Sequence, residues 1–239
     1  MAQTVLHDEH VKLGASFTDF GGWDMPVRYS SDLLEHHAVR NAAGLFDISH
    51  MAELFISGTD ASAFLDFALV GMASEIAIGR AKYSMICNAE GGIIDDLIVY
   101  RLETERFLII ANASNREAVA NALRDRKADF DVQVDDQSDE WALLAIQGPN
   151  ATGILQRLAS ANLAELKYYS IAESTVAGAA AYLCRTGYTG EDGFEVLVPA
   201  AEAAKVWNKI LAEGADDGLT SAGLACRDTL RLEAGMPLY

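Results

Sequence analysis

Hydrophobic positions along the chain alternate between the two-residue period of strands and the longer period of helices. In residues 59–70 the apolar side chains fall on one helical face, with Thr59 as the predicted N-cap. Asp32 and Glu35 form a capping-box pattern, which predicts a helix that begins there and ends near Gly44. The chain therefore contains both helices and strands, without a repeat or a low-complexity tract.

Short β-rich runs bounded by turn residues predict strands in the middle and later parts of the chain. These runs are residues 83–87, 93–101, 106–111, 141–147, 175–184 and 193–198. Helical patterns follow Asn115 and Pro149, cover residues 200–213 up to Gly214, and return in residues 224–235. Strand pairs joined by tight turns and interleaved with helices indicate an α+β class, with antiparallel sheets and helices on their faces.

The acidic run at residues 135–140 interrupts the apolar pattern and is the best candidate for a linker or crossover. The last helical segment resembles the early segments in its pattern of apolar and polar residues. This similarity favours two intertwined α+β units.

The stretch GGIIDDLIVY, residues 91–100, places two carboxylates inside an apolar strand. Alternation puts Asp95 and Asp96 on opposite faces, so one of them points toward a core. A carboxylate in that position requires hydrogen-bond donors or a cavity. A plainer interpretation is a solvent-facing edge residue beside a turn acceptor. The apolar run that follows disfavours it, because a strand so apolar is normally covered on both faces.

Charge and cysteine content exclude several function classes. Thirty-five acidic residues against 18 basic ones give a net charge of −17, which disfavours nucleic acid as a partner. An anionic ligand must therefore be held by a few local donors. The cysteines are odd in number and far apart, which is typical of buried thiols rather than disulfides. The histidines lack the companion ligands of a metal site, so no metal is predicted.

No apolar run approaches the ~18 residues of a membrane span. The first residues show no export or transit pattern, so the predicted location is the cytoplasm, with no membrane partner.

Two later segments carry polar residues of interest. In residues 185–198, three glycines surround Tyr188 in a loop suited to tight turns, and the spacing does not match a phosphate loop. Glu195 follows on a strand, where the pattern alone favours an exposed glutamate. In residues 224–235, Arg227 and Arg231 share a helical face, and surface ion pairs are the ordinary explanation. A guanidinium so held can also bind a carboxylate ligand through two hydrogen bonds.

Taken together, the chain resembles the T-protein family of the glycine cleavage system, which are tetrahydrofolate-dependent aminomethyltransferases. Besides the segments above, the resemblance is carried by FGGWDMP (20–26), GLFDISHM (44–51), YSMICNAEGGIIDDLIVY (83–100) and AIQGPNA (145–151). It is collinear over essentially all 239 residues. It implies a first α+β unit of residues 1–52 plus 138–239, a second of residues 53–137, and a C-terminal β-barrel that is missing from this chain.

The resemblance also implies a reaction and its site. The one-carbon unit of an aminomethyl group on the lipoyl arm of H protein passes to tetrahydrofolate, with release of ammonia and formation of 5,10-methylenetetrahydrofolate. The positions that match the family's folate-binding residues are Tyr83, Asp96, Asn112, Tyr188, Glu195 and Arg227. Asp96 matches the key catalytic acid, and the sequence leaves open whether it accepts a proton or stabilises positive charge.

Two other functions stay open at this point. One is a folate-dependent demethylase of the same superfamily, acting on dimethylglycine, sarcosine or a sulfonium compound. The other is a non-catalytic folate-binding factor for iron–sulfur assembly, although the Lys-Gly-Cys-Tyr-x-Gly-Gln-Glu signature of that branch is absent from the sequence.

Overall fold

A computed structural model describes residues 1–237, in which the chain separates into two compact units. Within the described residues, unit 1 consists of Met1–His50, Glu140–Tyr168 and residues 172–237. Unit 2 consists of Met51–Asp139 and Tyr169–Ile171. That each unit folds as a domain with the predicted boundaries stays a prediction.

The secondary structure is mixed throughout. Within residues 1–237 the helices are α1 (His7–Lys12), α2 (Asp32–Asn41), α3 (Ala61–Ala68), α4 (Arg116–Arg126), α5 (Ala151–Gln156), α6 (Ala203–Gly214) and α7 (Leu224–Glu233). The strands are β1 (Ser16–Phe20), β2 (Trp23–Arg28), β3 (Ala43–Asp47), β4 (Ala52–Ser57), β5 (Ala81–Cys87), β6 (Ile93–Glu103), β7 (Arg106–Ala111), β8 (Gln133–Asp136), β9 (Trp141–Gln147), β10 (Ile171–Val176), β11 (Ala179–Cys184), β12 (Gly193–Pro199) and β13 (Leu219–Ser221). None of these helices is long and apolar enough to cross a membrane.

Unit 1 is built on a six-stranded sheet with the order β10-β11-β12-β9-β3-β13. The pairs β11–β12, β12–β9 and β3–β9 are antiparallel, and β13 runs parallel to β3. On one face Leu144 and Phe194 join a buried cluster with Ile154 of α5 and Trp207 of α6. Because side chains alternate along a strand, Glu195 lies on the other face.

Unit 2 is built on a five-stranded sheet with the order β5-β6-β7-β4-β8. Leu54 and Leu97 face a buried cluster that includes Phe64 of α3 and Val119 of α4. Asp96 lies on the opposite face of this sheet. The predicted α+β class, with antiparallel sheets and helices, is confirmed.

Helix α3 buries the predicted apolar face, although it begins at Ala61 and its N-cap is Asp60 rather than Thr59. The capping box predicted at Asp32 and Glu35 is wrong. Ser31 caps α2, and the buried Glu35 instead accepts hydrogen bonds from the two backbone N–H groups at 29 and 30, at 2.7 Å each.

The end of α2 differs from the prediction, and the acidic run contains a strand end as well as the passage between the units. Helix α2 ends at Asn41, and Gly44 belongs to β3 instead of closing the helix. Residues 135 and 136 form the end of edge strand β8, and the chain passes from unit 2 to unit 1 between Asp139 and Glu140, within the predicted crossover. The negative charges of the run are compensated locally, because Arg116 donates to Asp136 at 2.8 Å and to Asp139 at 2.8 Å. The same contact lowers the pKa of Asp139 below its ordinary value.

Candidate functional site

Asp95 is the carboxylate that points toward the core of unit 2, and its side chain is fully buried. One oxygen accepts from the backbone N–H of Asn112 at 2.9 Å. The other accepts from the side-chain amides of Asn112 at 2.9 Å and Asn115 at 2.6 Å. Burial raises the pKa of Asp95, while the three donors oppose that rise. The structure thus explains the buried acid, because its donors are present.

Asp96 lies on the opposite face of β6 and is half-buried. Its Oδ1 accepts from the amide of Asn112 at 2.6 Å, and its Oδ2 accepts from the Tyr83 hydroxyl at 2.9 Å. A carboxylate offers about four acceptor positions, so both oxygens can accept further hydrogen bonds. The two donors hold Asp96 in one orientation without using its full capacity.

Asn112 connects the two aspartates, because its amide nitrogen lies within hydrogen-bond distance of both carboxylates. Asn115, the other side-chain amide that donates to Asp95, directly precedes a segment with a predicted helical pattern. Asn115 does stand at the N-cap position of α4, but its side chain makes no cap bond and turns to Asp95. One sequence signal could have identified Asn115. Two asparagines three residues apart come directly after β7, which is the strand that pairs with the strand of Asp95 and Asp96.

A second buried acid in unit 2 was not predicted. Glu53 is fully buried on β4, opposite Ile110, on the sheet face that carries Asp96. Within residues 1–237 neither of its carboxylate oxygens has a hydrogen-bond partner. Burial raises the pKa of Glu53 well above its ordinary value, and the positive charge of Arg116 only partly opposes this. The neutral acid is the form that such a position tolerates.

This burial predicts a pH dependence of stability. Because the pKa of Glu53 is higher in the folded than in the unfolded protein, its neutral form stabilises the fold at low pH. That stabilisation is lost as the pH rises from the pKa of an ordinary glutamate to the raised pKa of Glu53. The loss is at most about 1.4 kcal/mol per pH unit. Glu53→Gln should therefore remove this slope and raise the free energy of unfolding at neutral pH relative to wild type.

Urea unfolding measured across pH tests this expectation. Glu105→Gln, at an exposed position, is the matched control and should keep the wild-type slope. Identical slopes in wild type and Glu53→Gln would show that Glu53 ionises without cost in the fold.

Unit 1 contains a small cavity on the sheet face that carries Glu195. The register places Glu195 beside Ala145, and Ala145 beside Phe46. The lining residues come from β3 and the residue that follows it, from β9, β12 and α7, and from the loop after β11. They are Phe46, Ile48, Ala145, Gln147, Tyr188, Thr189, Glu195 and Arg227. Glu195 thus borders a cavity rather than open solvent, which corrects the interpretation from the strand pattern alone.

The Arg227 guanidinium lies over the Tyr188 ring, 4.8 Å from its centroid. In the part of the chain that the structure describes, it forms no ion pair, and burial lowers the pKa of Arg227. Surface ion pairing is therefore wrong for Arg227, whereas Arg231 does pair with Asp228 at 2.7 Å. Tyr188 also donates its hydroxyl to the backbone carbonyl of Pro237. A cation stacked on an aromatic ring, with a carboxylate bordering the same cavity, suits a flat polar ligand.

Four further residues near this cavity were not predicted as functional. Gln147 and Thr186 are buried and connect to Glu195 through hydrogen bonds. Most of the Tyr168 side chain is exposed. The burial of its remaining part, together with the negative charge of Glu195, raises its pKa. His50 is buried, and its burial, together with the nearby positive charge of Arg227, lowers its pKa to about 4.

The structure thus brings the six matched residues into two groups. Tyr83, Asp96 and Asn112 meet in unit 2, whereas Tyr188, Glu195 and Arg227 border the cavity of unit 1. Among residues 1–237 no group of three histidine, cysteine or acidic side chains is placed to hold a metal ion. Catalytic and binding roles for the six residues stay predictions.

Fold and site together define a protein of the α+β class, with an oriented carboxylate on one sheet and a polar cavity on another. The family model described as the GCVT N-terminal domain matches residues 6–239. The chain belongs to this family, which confirms the resemblance to the glycine cleavage T proteins.

Relatives of known name and structure agree. An aminomethyltransferase of Saccharopolyspora erythraea is 56% identical over 237 residues, which cover 99% of this chain and 65% of the relative. One from Desulfitobacterium hafniense is 44% identical over 239 residues. The crystal structure of glycine cleavage system aminomethyltransferase T from Bartonella henselae matches with a TM-score of 0.92 at 40% identity, covering 99% of this chain and 63% of that one.

A more distant likeness concerns the fold alone. Heterotetrameric sarcosine oxidase from Corynebacterium sp. U-96 matches with a TM-score of 0.59 at 18% identity, covering 79% of this chain and 93% of that one. The chain spans about two thirds of the length of the aminomethyltransferases that it matches, 65% of the first.

Proposed function

We propose that the protein transfers the one-carbon unit of an aminomethyl group, carried on the lipoyl arm of an H protein, to tetrahydrofolate. The carbon–sulfur bond to the lipoyl arm breaks, and the products are ammonia, 5,10-methylenetetrahydrofolate and the H protein with its lipoyl arm in the dithiol form. The family and the relatives named aminomethyltransferase support this reaction class. The observation that carries the proposal is the Asp96 carboxylate, which is half-buried and held by Asn112 and Tyr83. The lipoylated H protein and tetrahydrofolate are the proposed partners.

The residues around the cavity of unit 1 fit a reduced pterin. A pterin is flat and presents an amino group and a ring N–H along one edge, and a carboxylate such as Glu195 can accept both. The stacked pair of Tyr188 and Arg227 offers a flat surface of matching polarity. When bound, tetrahydrofolate supplies the nucleophilic nitrogens that take up the one-carbon unit.

Asp96 provides the acid–base and electrostatic part of the proposed mechanism. Its unused lone pairs can accept a proton released as the carbon–nitrogen bond forms, or stabilise positive charge that develops at the reacting atoms. Tyr83 and Asn112 keep the carboxylate in one orientation, so no reorientation is required during the reaction. Asp95 holds Asn112 from the core side and thereby supports that orientation.

An ammonia-release assay tests the proposal. Aminomethylated H protein and tetrahydrofolate are mixed with this chain alone, and with this chain joined to the C-terminal third of the Saccharopolyspora erythraea relative. Calorimetry measures tetrahydrofolate binding in parallel. We expect folate-dependent ammonia release. If neither protein releases ammonia, the proposed reaction is wrong. Methyl transfer from sarcosine or dimethylglycine without H protein would favour the demethylase alternative.

A further inference from the structure

A continuous series of hydrogen bonds leads to the Glu195 carboxylate inside unit 1. The Thr189 hydroxyl donates to Oε1 of Gln147 at 2.8 Å. The amide nitrogen of Gln147 donates to the backbone carbonyl of Thr186 at 3.1 Å. The Thr186 hydroxyl in turn donates to Oε2 of Glu195. We call Thr189, Gln147 and Thr186 the Glu195 support.

Gln147, the central residue of the Glu195 support, is fixed in place by packing. Gln147 is 1% exposed, and its side chain lies against the backbone of two glycines. A Cβ atom added at Gly187 would lie 1.9 Å from Oε1 of Gln147, and one at Gly193 would lie 2.6 Å from Nε2. At positions 187 and 193, any residue other than glycine would place its Cβ atom in the space that the Gln147 side chain occupies. The two glycines therefore confine the amide of Gln147 to one position.

The remaining members are equally confined. Thr186 and Thr189 are each 2% exposed. Arg40 donates to the backbone carbonyl of Thr189 at 2.7 Å, which holds the loop from the other side. A threonine side chain has few rotamers because it is branched at Cβ, so the Thr186 hydroxyl meets Glu195 from a fixed direction. One carboxylate oxygen is thereby anchored, which sets the plane of the whole carboxylate.

We propose that Thr186 is a positioning residue for ligand binding, which orients the Glu195 carboxylate toward the cavity, and that Gln147 holds Thr186 in place. This inference rests on the proposed function, in which Glu195 accepts hydrogen bonds from the pterin. A ligand that presents two N–H groups on one edge requires both carboxylate oxygens in the plane of that edge. A carboxylate free to rotate would meet this condition for only part of the time.

Two substitutions at one position separate the hydroxyl from the bulk of the side chain. Thr186→Val keeps the shape and removes the donor, whereas Thr186→Ser keeps the donor. Tetrahydrofolate affinity should fall about 10-fold in Thr186→Val, the lower end of the effect of a hydrogen bond to a charged group, and recover to within about 3-fold in Thr186→Ser. Thr175→Val, on an exposed strand position, is the control and should bind as wild type does.

A second readout does not depend on folate. The carboxyl carbon of Glu195, followed by NMR in the unliganded protein, should titrate at higher pH in Thr186→Val, because a donor to the charged form has been removed. The Thr186→Ser variant should titrate as wild type does, and thermal unfolding confirms that each variant folds.

The outcomes separate the two proposals. An unchanged titration in Thr186→Val, or equal loss of affinity in the Ser and Val variants, would overturn the positioning role. If wild type itself does not bind tetrahydrofolate, the proposed function fails, and the titration of Glu195 still decides whether Thr186 acts on it.

Discussion

Asp96→Asn is expected to reduce turnover by about 10²- to 10⁴-fold while tetrahydrofolate still binds, since this is the usual range for a positioned acid–base group. The substitution keeps the size of the side chain. Its carbonyl oxygen can accept from Asn112, and its amide can donate to the Tyr83 hydroxyl oxygen, so both neighbours keep a partner. What is lost is the negative charge and the ability to accept a proton.

Single-turnover release of ammonia from aminomethylated H protein, with calorimetry of tetrahydrofolate binding, measures the effect of Asp96→Asn. Asp125→Asn removes a carboxylate at an exposed position of α4 and should retain wild-type turnover. Wild-type turnover in Asp96→Asn would exclude Asp96 from the chemistry and leave it a structural role.

Glu195→Gln is expected to weaken tetrahydrofolate binding by roughly 10²-fold, with a smaller effect on turnover at saturating folate. Glutamine has the same shape, but one acceptor becomes a donor and the charge is lost, so paired N–H groups of a ligand meet a mismatched group. Both effects act on binding, because Glu195 borders the cavity of unit 1 in which the pterin is proposed to bind.

Titration of tetrahydrofolate into the two proteins, followed by calorimetry, measures the effect of Glu195→Gln. Glu173→Gln, on the exposed side of β10, controls for the loss of one negative charge. Equal affinities for wild type and Glu195→Gln would place the pterin elsewhere in the molecule.

The alternation of side chains was sufficient to predict the geometry of the aspartate pair. It placed Asp95 and Asp96 on opposite faces and required either donors or a cavity for the inward one, and the structure supplies donors from Asn112 and Asn115. The apolar face of α3 was predictable for the same reason, because its period depends only on local geometry.

Residues whose partners are distant in sequence could not be predicted in this way. Glu35 accepts from the backbone N–H of Gly223, 188 positions away, in addition to the backbone N–H groups at 29 and 30, and no local pattern indicates the distant contact. Gln147 looked like an ordinary strand end, because its partner Thr189 lies 42 residues further on. The stacking of Arg227 on Tyr188 likewise joins a helix and a loop whose approach no local pattern encodes.

The tight fit of Gln147 against Gly187 and Gly193 also limits how this sequence can diverge. A side chain acquired at either glycine is incompatible with the glutamine, and a shorter residue at 147 would leave a void beside two bare backbone segments. Viable descendants should therefore exchange these three positions as a set or keep all three, so their substitution histories should be correlated.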